Sequence, residues 1–129
     1  MNNTQKLFTL AVEAAKNAYC PYSKFAVGAA IRADDDKIYN GCNVENISYP
    51  VGTCAEAGAI AAMIAGGGRK IKEMLIYADS KQLISPCGAC RQRISEFAEA
   101  NVVVYLANAK GIQKSVTVAD LLPCGFAEF

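Results

Sequence analysis

The stretch from Cys54 to Ala65 constrains the fold more than any other part of the chain. It consists of alanine, glycine and a few larger apolar residues, and Glu56 is its only charged residue. A helix without a polar face is expected to be buried on every side, and small side chains let neighbouring backbones approach closely. The run Gly66-Gly67-Gly68 predicts the end of this helix. The rest of the fold therefore has to surround it.

The segments on either side of this helix alternate between helical and strand patterns. We expect a first helix capped by Asn3 and Thr4 and ending before Pro21. The later elements, in chain order, are predicted as strand Phe25 to Ile31, a turn at Asp34-Asp35-Asp36, strand Lys37 to Val44, helix Cys54 to Ala65, strand Glu73 to Ala78, helix Cys87 to Ala98, strand Val102 to Ala107 and strand Lys114 to Val118. This order predicts an α/β fold, a three-layer α/β/α sandwich around one mixed β-sheet. The length predicts one domain over residues 1–129.

Composition narrows the possible classes of function. The chain has 13 basic and 12 acidic residues and no block rich in lysine or arginine, so we expect no nucleic-acid surface. Charged residues interrupt every apolar stretch, so we expect no membrane span. The polar N-terminus does not look like a signal peptide. The six cysteines are therefore expected to be reduced, in a cytoplasmic protein, and free for metal or thiol chemistry.

Three of the cysteines occur where helices are predicted to begin. Cys87 and Cys90 are three positions apart and share a face at the start of a helix, and Cys54 can supply a third sulfur. Three thiolates hold zinc with one position left for water, as in catalytic zinc sites. Glu56 beside that position could transfer protons. Residues two apart on a helix do not face each other, so this site requires Cys54 at the helix cap or first turn.

Two other interpretations of these cysteines remain open. The Cys-x-x-Cys pair alone is also typical of a dithiol redox site, although redox chemistry requires neither the third cysteine nor the glutamate. Alternatively, Cys20, Cys42 or Cys124 could close a structural zinc site as a fourth ligand, but we expect these three to be small core residues. The chain contains no histidine, which excludes catalysis by Ser-His or Cys-His pairs.

Five short motifs follow one another between about Tyr19 and Phe126. They are Pro21–Ala30 (PYSKFAVGAA), Gly41–Asn46 (GCNVEN), Cys54-Ala55-Glu56, Ser85–Gln92 (SPCGACRQ) and Leu121-Leu122-Pro123. Together they resemble the small, single-domain cytidine deaminases, and the cysteine at position 54 resembles the homotetrameric branch of that family. The resemblance implies one zinc ion per chain. It also implies a homotetramer with shared active sites that deaminates cytidine and deoxycytidine to uridine and deoxyuridine with release of ammonia, in pyrimidine salvage.

The resemblance also implies roles for individual residues. They are the zinc ligands Cys54, Cys87 and Cys90; the proton shuttle Glu56; the ribose-binding pair Asn43 and Glu45; an aromatic near the base or sugar, Phe25; backbone groups that read the pyrimidine edge, at Ala55 and Ser85; and residues that reach a neighbouring subunit's pocket, Tyr49 and Phe126. An amide and a carboxylate suit hydroxyl partners. Without the resemblance, Asn43 and Glu45 would be interpreted as solvated polar residues and Phe25 as a core residue.

One residue departs from the family pattern. Many tetrameric relatives have an arginine after the glutamate, whereas this chain has Ala57 followed by Gly58. Three thiolates leave a zinc site with net negative charge, which should make its water less acidic. Two helix N-termini can offset this charge, and Arg91 beside Cys90 is a further candidate, or else an exposed helix arginine.

The substrate is open in one respect. The same chemistry would serve another aminopyrimidine nucleoside or a base in a nucleic acid. The near-neutral charge of the chain and the Asn43–Glu45 pair favour a free nucleoside.

Overall fold

A single five-stranded β-sheet organises the chain. In the computed structural model, which describes residues 1–129, the strands lie in the order β2-β1-β3-β4-β5. Strands β3 and β4 are parallel, and the other neighbouring pairs are antiparallel, which confirms the predicted mixed sheet. The elements are α1 (Asn3–Lys16), β1 (Val27–Ala33), β2 (Ile38–Cys42), a short 3₁₀ turn (Tyr49–Val51), α2 (Ala55–Ala65), β3 (Ile71–Ala78), α3 (Gly88–Phe97), β4 (Val103–Asn108), β5 (Gly111–Thr117) and α4 (Val118–Leu121).

Helices cover both faces of the sheet. Successive residues of a strand point to opposite faces, and β3 is apolar on both. Met74 and Ile76 join the larger core cluster with residues of α2 and α3, whereas Leu75 joins a smaller cluster with Leu7 and Ala11 of α1. The predicted three-layer α/β/α sandwich is therefore confirmed.

The cap of α1 differs from the prediction. Asn2, and not Asn3 or Thr4, is the N-cap: its side chain accepts a hydrogen bond from the Gln5 backbone N–H at 2.9 Å. The Gln5 side chain accepts one from the Asn2 N–H at 3.1 Å. A glutamine three residues after the cap completes a reciprocal capping box, which an asparagine or threonine one or two positions later would lack.

Several strand boundaries also differ by one to three residues from the predicted ones, and two of these differences have identifiable reasons. Strand β1 begins at Val27 and not at Phe25, because the Asn43 side chain bonds the Val27 N–H and the Phe25 carbonyl. Strand β5 begins at Gly111, three residues before the predicted start. It is an edge strand with one neighbour, and its exposed polar residues give no apolar alternation in the sequence.

Helix α2 begins and ends where the sequence predicts. Cys54 is its N-cap, Gly66 is its C-cap, and Gly67 adopts φ +101°, a left-handed conformation that favours glycine. Within one chain, however, the helix is not buried on every side. Ala61 and Ala65 are exposed, so one apolar face of α2 remains open. No helix of the chain has the length and apolarity needed to cross a membrane.

Candidate active site

The N-termini of two helices bring three cysteines together. Cys54 is the N-cap of α2, Cys87 is the N-cap of α3, and Cys90 lies in the first turn of α3. Their Sγ atoms all lie within 4.8 Å of one another. Four-coordinate zinc with Zn–S bonds of about 2.3 Å places its sulfurs about 3.8 Å apart, so this spacing suits one ion. The cap position of Cys54 is the one that a shared site with Glu56 requires.

The charges of this cluster also suit a metal. Burial raises the pKa of the Cys54 and Cys90 thiols, and the nearby Glu56 carboxylate raises both further. Glu56 is 5% exposed, and burial raises its pKa too. The Cys87 pKa is instead lowered, first by the Cys90 backbone N–H. Acidic groups placed side by side, of which Cys90 and Glu56 are buried, form a donor set that a divalent cation stabilises. The residues present therefore fit one zinc ion.

The other cysteines lie outside this cluster. Cys42 ends β2 and is half-buried, as is Cys20, whereas Cys124 is exposed. None of the three belongs to a core cluster, so the expectation that they are core residues is wrong, most clearly for the exposed Cys124. None of them belongs to the three-sulfur group, which leaves the fourth position without a cysteine.

A pocket of about 350 Å³ opens beside Cys54. Of the residues predicted to bind substrate, Asn43, Glu45 and Tyr49 line it. The volume suits a small molecule and is close to the lower end for ligand sites. The chain therefore has a cavity of small-molecule size at Cys54, one of the three clustered cysteines.

The remaining predicted residues do not line this pocket. Ala55 is buried in the first turn of α2 behind Cys54. Phe25 is 38% exposed, so it is not a core residue, and Ser85 and Phe126 are exposed. The Phe126 carbonyl accepts a hydrogen bond from the Gln92 side chain at 3.0 Å, which holds the C-terminal segment against α3.

Asn43 and Glu45 already have partners in the protein. Besides its bonds to Phe25 and Val27, Asn43 keeps one N–H and one lone pair free. The Glu45 carboxylate accepts hydrogen bonds from the Tyr22 and Ser23 N–H groups and from the Ser23 hydroxyl, which lowers the Glu45 pKa, with the hydroxyl as the largest cause. About one of its four lone-pair positions remains. Both side chains thus hold the wall of the pocket and retain capacity for a ligand.

The arginine next to the sulfurs is not the one that the sequence indicated. Arg91 donates hydrogen bonds to the Pro86 carbonyl at 2.8 Å, to the Leu121 carbonyl at 2.9 Å and to the Ser85 hydroxyl at 3.0 Å. It is neither an exposed helix arginine nor a partner of the thiolates. Arg93 Nη1 instead lies 3.4 Å from Cys90 Sγ.

The sequence contained a signal for some of the residues that were missed. Arg93 follows Cys90 by three positions, the spacing that shares a helix face, whereas Arg91 follows it by one. Ser23 belongs to the PYSKFAVGAA motif and lines the pocket. Thr53 also lines the pocket, and no feature of the sequence pointed to it.

The model of the cytidine and deoxycytidylate deaminase zinc-binding region matches residues 1–106. The chain belongs to this family. It is similar to a cytidine deaminase of Sporosarcina psychrophila, with 45% identity over 126 residues that cover 98% of this chain and 93% of the relative. A cytidine deaminase of Halalkalibacterium halodurans is 41% identical over 122 residues, covering 95% and 92%.

A solved structure in the same family confirms the fold. The chain is similar to a crystal structure of cytidine deaminase from Burkholderia pseudomallei, with a TM-score of 0.90, 38% identity, and coverage of 98% of this chain and 100% of that one. The resemblance stated from the sequence motifs is therefore confirmed at the level of the family. The three-cysteine cluster is compatible with the one zinc per chain that it implied.

Proposed function

We propose that the chain catalyses the hydrolytic deamination of cytidine and deoxycytidine to uridine and deoxyuridine, with release of ammonia, in pyrimidine salvage. One observation carries the proposal: three sulfurs within 4.8 Å of one another lie next to the buried Glu56, at the edge of a pocket of about 350 Å³. A redox pair would require neither Cys54 nor Glu56. The cytidine deaminases to which the chain is similar supply the substrate class.

Cys54, Cys87 and Cys90 would hold the zinc, which when bound supplies Lewis acidity to activate water for attack. Glu56 performs the proton transfers. Its carboxylate accepts a proton from the attacking water and donates it to N3 of the ring as C4 becomes tetrahedral. It then accepts the proton of the new C4 hydroxyl and delivers it to the amino group, so that the C4 carbonyl forms as ammonia leaves. Burial of Glu56 keeps these transfers away from bulk water.

Asn43 and Glu45 position the sugar. Both line the pocket and keep free hydrogen-bonding capacity, and their bonds to the segment from Tyr22 to Val27 make them rigid. Phe25, on that segment, packs near the nucleoside, and the backbone groups at Ala55 and Ser85 read the pyrimidine edge. These roles follow the family pattern at matching positions.

The enzyme works as a homotetramer whose active sites are shared. The open face of α2 is apolar, with Ala61 and Ala65 exposed, and Tyr49 and Phe126 are 73% and 65% exposed. Exposed apolar surface of this kind is typical of subunit contacts. Phe126 does not line the pocket of its own chain, and its exposure supports a role in closing the pocket of a neighbour.

Six free cysteines support a reducing, cytoplasmic location, where the ligand thiols stay unoxidised. Residues 1–129 act as one deaminase domain.

A turnover assay tests the activity directly. Zinc-loaded protein is incubated with cytidine, deoxycytidine, free cytosine or single-stranded DNA, and uracil products and ammonia are quantified. We expect uridine from cytidine and deoxyuridine from deoxycytidine, each with an equal amount of ammonia, loss of turnover with a strong chelator, and recovery with zinc. No product from nucleosides by fully zinc-loaded protein would contradict the proposal, and turnover of DNA alone would favour the nucleic-acid alternative.

Assembly is tested separately. Sedimentation should give a mass near that of four chains. Deletion of Phe126 to Phe129 should impair turnover, and mixing the truncated chain with an inactive Glu56→Gln chain should restore part of it. A fully active monomer would refute the shared site.

A further inference from the structure

We infer that Arg93 is a positioning residue of the metal centre, and that its guanidinium balances the charge of the three-cysteine site by donating a hydrogen bond to the Cys90 sulfur. The inference rests on the proposed function, since it concerns the zinc of that same site. It explains how the charge of the three thiolates is balanced although the residue after Glu56 is the uncharged Ala57 and not an arginine.

The charge of the site creates the need for such a group. Three thiolates outweigh the charge of Zn²⁺ by one, and the buried Glu56 carboxylate adds a further negative charge. Cys90 is 0% exposed, so water does not reach it to solvate its share of this charge. A buried anionic sulfur without a donor is unfavourable. A cationic donor from the protein removes that penalty.

Among the side-chain hydrogen bonds of the chain, only the one from Arg93 reaches a cysteine sulfur. Nη1 of Arg93 lies 3.4 Å from Cys90 Sγ. The two residues are three positions apart on α3 and share a face of that helix. The guanidinium charge also acts on Glu56. Arg93 therefore faces the two buried groups that need a positive neighbour.

The other nearby arginine is occupied. The guanidinium of Arg91 bonds two carbonyls and the Ser85 hydroxyl, so it ties α3 to neighbouring loops. Helix N-termini contribute partial charges only. Arg93 is thus the one full positive charge directed at the sulfurs. Its outer side is exposed, and solvent screening will reduce its effect below that of a fully buried partner.

Arg93→Gln, Arg93→Lys and Lys6→Gln test this inference. Lys6 is an exposed residue of α1, on the opposite face of the sheet, and its variant removes the same charge far from the sulfurs. Far-UV circular dichroism of the zinc-free proteins establishes that each variant folds. Zinc affinity is then measured by competition with a chromophoric chelator at fixed pH and without substrate.

We expect Arg93→Gln to bind zinc about tenfold more weakly or worse, because removal of outer partners of metal ligands typically costs about 10- to 100-fold in affinity. Arg93→Lys should recover much of that loss, and Lys6→Gln should match the parent. In cobalt-substituted protein, the sulfur-to-metal charge-transfer band of Arg93→Gln should shift to longer wavelength, since a thiolate without its donor gives up an electron more easily.

A folded Arg93→Gln protein with parental zinc affinity and an unshifted cobalt band would overturn the inference. An Arg93→Lys protein as weak as Arg93→Gln would overturn charge balance as its cause. A parent protein that binds zinc but leaves cytidine unchanged would instead contradict the proposed function, so the two failures are distinguishable.

Discussion

Substitution of Gly41 by alanine should displace α2 slightly from the sheet and so disturb the metal site. A Cβ added at Gly41 would lie 2.3 Å from the Ala59 nitrogen and 2.7 Å from the Gly58 carbonyl carbon, both in the backbone of α2. Ordinary contacts begin at 3.4 Å, so the helix would have to move by about 1 Å. Overpacking of this kind costs about 1–3 kcal/mol. Alanine loses less conformational entropy than glycine when the strand folds, which offsets about 0.5–1 kcal/mol of this cost. We therefore expect the free energy of unfolding to fall by about 1–2 kcal/mol.

Gly58→Ala is the matched control. A Cβ at Gly58 would meet the Cys42 carbonyl oxygen at 3.5 Å and the Gly41 Cα at 3.7 Å, which are ordinary contacts across the same helix–strand interface. Replacement of a glycine within a helix by alanine stabilises it by about 0.5–1 kcal/mol. The two variants should therefore differ by about 2–3 kcal/mol in the free energy of unfolding.

Urea unfolding of the zinc-free proteins measures this difference without the stabilisation that bound metal adds. Turnover of the zinc-loaded proteins gives a second measurement. Cys54 and Glu56 move with α2, whereas Cys87 and Cys90 belong to α3. A displacement of about 1 Å costs up to about 10²-fold in rate. Equal stability and equal turnover of Gly41→Ala and Gly58→Ala would refute the close approach of helix and strand.

Four further predictions follow from the site and the sheet. Glu56→Gln should keep zinc, measured by metal analysis, and lose about 10²- to 10⁴-fold in turnover; near-normal turnover would refute the proton shuttle. Glu45→Ala should reduce nucleoside turnover about tenfold or more while affecting free cytosine less, and equal proportional losses would make the residue structural only. The folded-state pKa of Glu45 is lowered from its usual 4.5, so its hydrogen bonds stabilise the fold fully above about pH 4.5, and this stabilisation is lost as pH falls through the folded pKa. Urea titrations at a series of pH values should therefore show the stabilities of the parent and Glu45→Gln converging once the pH is below the folded pKa of Glu45. Glu73→Gln removes the ion pair at 2.8 Å with the partly buried Arg32, and the free energy of unfolding measured in urea should fall by about 1–2 kcal/mol. Arg32 also pairs with Asp36, whose side chain is 88% exposed, so Asp36→Asn should change the free energy of unfolding little.

The layers of the fold were predictable because each carries a strong local pattern. Strand β3 is apolar at successive positions, including Met74, Leu75 and Ile76, and a strand needs apolar residues on both faces only when both are covered. The sulfurs were predictable for a similar reason, since Cys54 and Cys87 each follow a loop and begin a helical pattern. In both cases the sequence signal lies within single elements, although the meeting of Cys54 with Cys87 and Cys90 is a contact between two helices.

Other features depend on contacts between distant segments. Strand β1 begins at Val27 because the side chain of Asn43, sixteen residues later, takes the backbone groups before it. Arg91 stands next to Cys90 in sequence, yet successive helix residues point about 100° apart, and its guanidinium reaches the Leu121 carbonyl instead. Adjacency in sequence was thus a poor guide to the thiolate partner, whereas the helical period would have selected Arg93.

Helix α2 combines two consequences of its small residues. On its inner side, Gly58 and Ala59 let the backbone come close enough to Gly41 that no side chain fits between them, and this contact sets the position of Cys54 and Glu56. On its outer side, Ala61 and Ala65 leave a smooth apolar face exposed. A charged outer face would have been compatible with the inner contact, because residues on opposite sides of a helix vary independently. The apolar outer face therefore needs a separate cause, and the proposed burial against another copy of the chain would supply one. In that assembly the same helix would position Glu56, the proposed proton shuttle, and join the subunits.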